Sequence, residues 1–415
     1  MSTSPETFAF DSDLLGLKFE LVSVLGDHGF AWFSDFSDVE CDLVSSELSI
    51  RIQCDYKAIE PALVKFCHRH QFFIYAYDPY LGRVHLMRDN DATRRHHYQE
   101  ILRLCDETFR YDPEDFDTWN EKGSALENLG RYEEAVAAYE KAAALRKTSP
   151  WPWVYRGDSL RSLGRYDESV TSYDEALQRD RRCLEAWRGK GLALHYAGRL
   201  EESLTAYDEA IRRDPADAWS WYHKGEVLKD LHRYREGLSS FERSVSIAPE
   251  NFEAWNGKGM VLHHLGRHEE AVEAYDQALA IRKDYEVIWI NRGLALSHLE
   301  RHDEALESYR KAARLAPNDA VCWHNQGLAL ERLGRFEEAV RAYNGAIRAG
   351  GFEHESYYRR AIAHARCGKS AGAIEDLQQA IRMNPAYREH AWREKAFERL
   401  RSNPQFRQVT RGKDS

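Results

Sequence analysis

Three histidines, His263, His264 and His268, stand close together and are followed at once by Glu269 and Glu270. Imidazole nitrogens and carboxylates at such spacing could ligate a divalent metal or relay a proton. Two other segments invite the same question. Cys67-His68-Arg69-His70 offers a thiol and two imidazoles at the end of an expected helix. Asp35, Asp38, Glu40 and Asp42 line an acidic stretch of the kind that can hold a hard cation. None of the three completes a site. A tetrahedral zinc site needs a second ligand pair, which the Cys67 segment lacks. The acidic stretch has neither the glycine nor the closing glutamate of a calcium loop and reads as a solvated loop. Gly266 interrupts the helix between His264 and His268, so these rings do not share one helical face. A Gly-rich phosphate loop, a G-x-S-x-G elbow and an H-E-x-x-H helix are all missing from the sequence. No catalytic residue, metal or cofactor is therefore expected, and an enzyme is the least favoured class.

The background chemistry agrees. Of 415 residues, 43% are hydrophobic and 30% charged, as in a folded, water-exposed protein. The seven cysteines are scattered and never spaced as C-x-x-C, which points to reduced thiols. The first residues carry no basic-then-apolar leader, and no run is apolar enough to span a membrane, so a cytoplasmic address is expected. Residues 1–93 hold 15 acidic against 7 basic side chains, whereas 94–415 hold 53 against 51. An acidic head on a nearly neutral body lays down no basic footprint, and nucleic acid is not expected as a partner.

What must position the histidines is a repeat. Tryptophan recurs every 34 residues, at 119, 153, 187, 221, 255, 289 and 323, with Tyr357 in the eighth place. Glycine follows four positions later from Gly123 to Gly327, then Ala361, and an aromatic keeps the same period from Tyr139 to Tyr343. Within 116–149, Trp119, Gly123 and Leu126 form one helical stripe. Gly130 ends that helix, and Glu133 and Glu134 open a second, where carboxylates suit the positive dipole end. Ala135, Tyr139 and Ala142 form its inward stripe. Neither helix can bury its stripe alone, so each unit must stack on its neighbours.

The pattern W-x3-G-x2-L-x3-G-x-Y-x2-A-x3-Y-x2-A at this period resembles the tetratricopeptide repeat, TPR. The resemblance covers eight units: 116–149, 150–183, 184–217, 218–251, 252–285, 286–319, 320–353 and 354–387. It implies a mostly α fold, a right-handed α-solenoid with a concave groove lined by the first helix of each unit. One departure stands out. The leucine that usually precedes the glycine is replaced by Lys122, Arg156, Lys190, Lys224, Lys258, Arg292, Gln326 and Arg360, whose stems can cover apolar surface while their heads reach water. Residues 94–115 read as a linking helix, 388–402 as a capping helix with Trp392, Phe397 and Leu400 inward, and the tail after Asn403 as a fraying end on which Phe406 can dock.

By the same resemblance, positions 2, 5, 9, 12 and 13 of each unit face the groove. Position 9 becomes an apolar rail in the later units: Met260, Leu294, Leu328 and Ile362. Tyr222, Asn256, Ile290, His324 and Tyr358 stand beside it at position 5. Tyr196, His263, His264, His298, Arg332 and Arg366 edge it at positions 12 and 13. The partner expected is a protein or peptide segment with an apolar stripe and acidic flanks. A chaperone carboxylate clamp is not expected, because position 9 never holds asparagine, and Asn291 and Asn325 lack the matching lysine.

Residues 1–93 are not repeats. ELSIRIQC (47–54), QFFIYAYD (71–78) and RVHLMRD (83–89) alternate as strands, and 17–25 and 29–34 can add two more. With a short helix over 56–70, they form a small acidic α+β domain. The leading function is a non-catalytic interaction scaffold or adaptor. The alternative makes the N-terminal domain the active module, a sensor, inhibitor or effector-linked regulator carried by the array.

Overall fold

The computed structural model describes residues 39–42, 47–51, 72–78, 83–88 and 91–411. Strands β1 (Val39–Asp42), β2 (Glu47–Arg51), β3 (Phe72–Asp78) and β4 (Arg83–Arg88) form one antiparallel sheet in the order β1-β2-β4-β3. β3 and β4 pair from Phe72↔Arg88 to Asp78↔Arg83, as the alternation of their sequences predicts. β1 corrects the expectation of a solvated loop. Its four residues pair with β2 from Val39↔Ile50 to Asp42↔Glu47, so residues 39–42 of that stretch form an edge strand laddered on one side, and 35–38 lie outside the described residues. The expected helix over 56–70 and strands over 17–25 and 29–34 lie outside the described residues.

The chain divides into two compact units, Met1–Arg181 and Arg182–Ser415. In the first, a helix over Asp91–Thr108 precedes the paired helices of repeats 1 and 2. That helix starts and ends earlier than the sequence suggests. In the second, repeats 3 to 8 supply six more pairs, from Leu184–Tyr196 and Leu200–Arg213 to Glu353–Arg366 and Ser370–Met383. Among the described residues no helix is long and apolar enough to cross a membrane.

Each pair is built by the same local devices. The first helices of repeats 1, 4, 5 and 7 open on side-chain caps: Asn251 Oδ1 accepts from Ala254 N at 2.9 Å, and Asp115 Oδ2 accepts from Thr118 N at 2.9 Å. They close on a left-handed residue. At Gly266 (φ 75°), Gly266 N donates to His263 O at 3.0 Å and Arg267 N to Leu262 O at 2.9 Å. His232 and Glu300 hold the corresponding position at φ 58° and 59° without being glycine, a local strain of about 1–2 kcal/mol each.

Between the two helices the tyrosine ring lies flat on the glycine. A Cβ on Gly259 would sit 2.5 Å from Tyr275 Cε1, and one on Gly327 would sit 2.4 Å from Tyr343 Cε1. Glycine is required here by close approach rather than by backbone angle. The tryptophan indole is tied to the chain entering its repeat, with Trp255 Nε1 donating to Pro249 O at 2.9 Å and Trp323 Nε1 to Pro317 O at 2.8 Å.

The basic residues ahead of the glycine are more than stems with solvated heads. Lys224 Nζ reaches Asp208 at 2.6 Å, Arg292 Nε reaches Asp276 at 2.7 Å, and Arg156 Nε reaches Glu140 at 2.9 Å, each on the preceding repeat. The same cations lie over their own indoles, Lys258 at 5.4 Å from Trp255 and Arg292 at 6.0 Å from Trp289. A leucine's packing role is thus replaced by an ion pair that joins adjacent repeats.

The C-terminal cap also differs from its expected form. A helix over Tyr387–Arg393 breaks at Glu394, whose carboxylate caps Ala396 N at 3.0 Å, and a 3-10 turn follows over Lys395–Leu400. As far as Arg411 the tail does not fray. Pro404–Arg411 is helical, opened by Asn403 Oδ1 accepting from Gln405 N at 2.8 Å, and Phe406 is fully buried near Phe397 and Trp392. A buried aromatic supplies the reason for the extra turns.

Candidate functional site

The first helices of repeats 6, 7 and 8 (Glu286–His298, Ala320–Arg332 and Glu353–Arg366) present their groove positions to one cavity of about 510 Å³. Leu294, Leu328 and Ile362 form its apolar side, and Arg332 and Arg366 its basic edge. All five were expected on this surface from the sequence. They come together because identical positions of stacked units repeat at one spacing along the array. Neither arginine forms an ion pair among the described residues.

The cavity has further walls that the position-by-position reading passed over. Ser297, His302, Asn325, Glu331, Phe336, Arg359 and, from the cap, Glu394 complete the lining with Tyr309 and Ala329. Glu331 occupies position 12, one of the groove positions already identified, so a sequence signal for it existed. His302 and Phe336 occupy the helix-junction position, which periodicity alone assigns to packing. Glu394 carries no sequence signal at all, because the break that places it is a tertiary feature.

Glu331 is the electrostatic centre of this wall. Its Oε1 accepts from the Tyr343 hydroxyl at 2.7 Å, and Arg359 Nη1 lies 3.7 Å from its Oε2. Burial raises the carboxyl above the usual carboxylate range, while the Tyr343 hydrogen bond and the Arg359 and Arg332 charges pull it back. Arg359 Nε is buried without a hydrogen-bond partner; Glu355 Oε1, at 3.9 Å, is too far to accept from it. Buried N–H donors are nearly always paired, so this one, without an acceptor among the described residues, stands apart.

Other expected contact residues are placed differently. Ile290, His324 and Tyr358 are buried, so they support the groove floor and offer little surface to a partner. His324 Nδ1 meets Ser356 Oγ at 3.0 Å and its ring stacks on Phe352; Tyr358 stacks on Tyr387 at 4.4 Å. Ile362 is also largely buried, though its edge bounds the cavity. Earlier along the unit, Asn256 Oδ1 accepts from Asn291 Nδ2 at 3.2 Å, and Asn256 Nδ2 lies 3.7 Å from Met260 Sδ. Tyr222 packs edge-on against His223, and Tyr196 is exposed beside His195.

The histidines gather after all, but in a set the sequence did not suggest. His263, His268 and His298 have ring centroids 4.7 to 5.0 Å apart, His268 stacked on His298 and His263 tilted against both. Gly266 does break the helix; the turn it makes is what folds His268 back beside His263. His264 instead stacks on Tyr234 at 4.6 Å. Among the described residues no group of three or more His, Cys, Asp or Glu side chains is arranged to hold a metal ion. The Cys67–His70 segment lies outside the described residues.

Burial, followed by the charges of His268, His298 and His264, pushes the His263 imidazole down to about 4. Unfolded, the same ring takes its proton near pH 6.5. Between those values the unfolded chain binds more protons, so stability of this segment falls as pH drops from 6.5 towards 4. The ring is only half-buried, and solvent screening reduces the effect to about 1 kcal/mol. Amide protection across 261–299, taken relative to the intrinsic exchange rate at each pH, should therefore fall over that window in the natural chain, and the fall should be smaller in His263→Gln. An equal loss of protection in both proteins would show that the cluster is not its source.

Sequence profiles of the tetratricopeptide repeat match residues 156–218, 222–286 and 324–388, 284–349, and 116–149. Among solved structures, the TPR protein YrrB, described as having an unusual peptide-binding site, is 24% identical; the match covers 45% of this chain and 96% of that one, with a TM-score of 0.40. MamA is 23% identical over 38% of this chain and 93% of its own, with a TM-score of 0.38. PilF of Pseudomonas aeruginosa is 19% identical over 52% and 100%, with a TM-score of 0.45. No curated protein sequence matches the chain.

Proposed function

The chain belongs to the tetratricopeptide repeat superfamily, and on that premise we propose that its groove across repeats 6 to 8 binds a segment of another protein, one that sets an apolar side chain beside a carboxylate. Arrays of this kind act as protein-interaction scaffolds, their curvature creating extended binding surfaces. One observation carries the reading: an apolar rail of Leu294, Leu328 and Ile362 shares a single cavity with Arg332 and Arg366, neither ion-paired among the described residues. Rail and arginines together match an apolar residue with an adjacent acid. The scaffold role requires no chemistry from the chain itself.

A photo-crosslinking residue at Ser297, which lines the cavity, identifies the captured segment, and a synthetic copy of it serves as ligand. The Leu294→Ala, Leu328→Ala pair should weaken binding of that copy by about tenfold, through lost apolar contact. Unchanged affinity would remove the groove from consideration. His324 is unsuited to this test, since its buried ring holds Ser356 and its removal disturbs packing.

A further inference from the structure

A second cleft, of about 690 Å³, lies between the second helices of repeats 5 and 6, His268–Ile281 and His302–Leu315. It shares no lining residue with the groove cavity. Its apolar lining is Leu279, Ala280, Leu315 and the Trp289 indole, and its rim is Lys283, Lys311 and Arg314. Leu315 is 43% exposed, an aliphatic side chain left half in water.

The residue at 283 occupies a variable position of the repeat. Repeats 3, 4, 6 and 8 carry proline there (215, 249, 317 and 385), and repeats 1 and 2 carry Lys147 and Arg181. Trp221, Trp255 and Trp323 donate to the carbonyls of the first three prolines, and Trp289 Nε1 donates to Lys283 O at 2.9 Å in the same way. At 283 the backbone makes this bond with lysine in place of proline. The lysine therefore adds a charge that the architecture does not use. Lys311 covers the Trp289 face at 4.4 Å and pairs with Glu307 at 3.1 Å. Lys283 and Arg314 have no ion pair among the described residues.

We propose that this cleft is a second docking surface, for an amphipathic helix of another protein with leucine-like residues on one face and carboxylates flanking them. Two neighbouring helices offer a groove into which the ridge of a third can settle. The exposed Leu315 and Ala280 take its apolar stripe, and Lys283 and Arg314 select acidic flanks by charge complementarity. The chain then holds two partners, or two parts of one, on separate surfaces.

The test uses the full chain and a short fluorescein-labelled helical peptide with leucines on one face and glutamates beside them, followed by anisotropy. Saturable binding is expected, with about tenfold loss in Lys283→Glu, Arg314→Glu and a smaller loss in the milder Lys283→Gln, Arg314→Gln. Arg332→Glu, Arg366→Glu should leave this peptide's affinity unchanged, and a glutamine-for-glutamate peptide should bind weakly. Affinity indifferent to Lys283 and Arg314 overturns the proposal. So does binding of phosphatidylserine vesicles that depends on those residues while the peptide fails to bind, since the surface would then serve a membrane.

Discussion

Tyr275→Ala is expected to remove about 3–5 kcal/mol of local stability, the largest effect of any single substitution discussed. The ring is 2% exposed and fills the space between the two helices of repeat 5, resting on Gly259. Its loss leaves a cavity that the close-packed neighbours cannot fully collapse around. Gly259→Ala alone should cost about 1–3 kcal/mol, because the new Cβ falls 2.5 Å from the ring and this overpacking exceeds any gain in helix propensity. The two changes should couple with opposite sign. In the Tyr275→Ala background the methyl enters vacated space, and Gly259→Ala becomes stabilising by about 1 kcal/mol. Because a repeat array need not unfold in one step, the readout is amide exchange in repeats 4 to 6 rather than a single melting midpoint. Additive effects in the double variant would show that ring and glycine do not meet as described.

The second large effect falls on binding. Arg332→Glu with Arg366→Glu should lower affinity for the segment captured at Ser297 by about 3 kcal/mol, roughly a hundredfold. Neither guanidinium is ion-paired among the described residues, so reversing them breaks no ion pair there. The loss comes from facing a partner carboxylate with two new negative charges beside Glu331 and Glu394. Lysine in place of that carboxylate on the synthetic segment should restore part of the affinity to the reversed protein. Added salt should weaken the natural pair. If reversal costs less than threefold, the arginines are bystanders and the apolar rail alone binds. Titration calorimetry on the purified full-length chain separates these outcomes.

Much of this molecule is legible because a repeat reads itself out many times. Trp, Gly and Tyr at constant spacing predict a helix pair with a tight crossing, and Tyr275 on Gly259 is that crossing seen in atoms. The position-9 rail was equally readable, since one period places Leu294 and Leu328 at equivalent points of successive helices. Where the period ends, reading fails. The break at Glu394 and the helix over Pro404–Arg411 depend on which surface the last repeat leaves uncovered. Nothing in the local sequence states that.

Burial was the other thing hidden from periodicity. His324 and Ile290 occupy the same repeat position as Asn256, yet they are buried while Asn256 keeps partial exposure and a bond to Asn291. The depth of one position depends on the residues of the neighbouring unit, and Phe352 and Ser356 decide it for His324. The histidines make the same point. Sequence alone determined that Gly266 ends a helix and that His268 opens the next, because left-handed backbone favours glycine there and the pattern repeats. Only the tertiary structure decided that His263, His268 and His298 form one cluster while His264 turns to Tyr234. Local chemistry sets where a helix stops. Which side chains then meet depends on how neighbouring helices stack, and that is a property of several units at once.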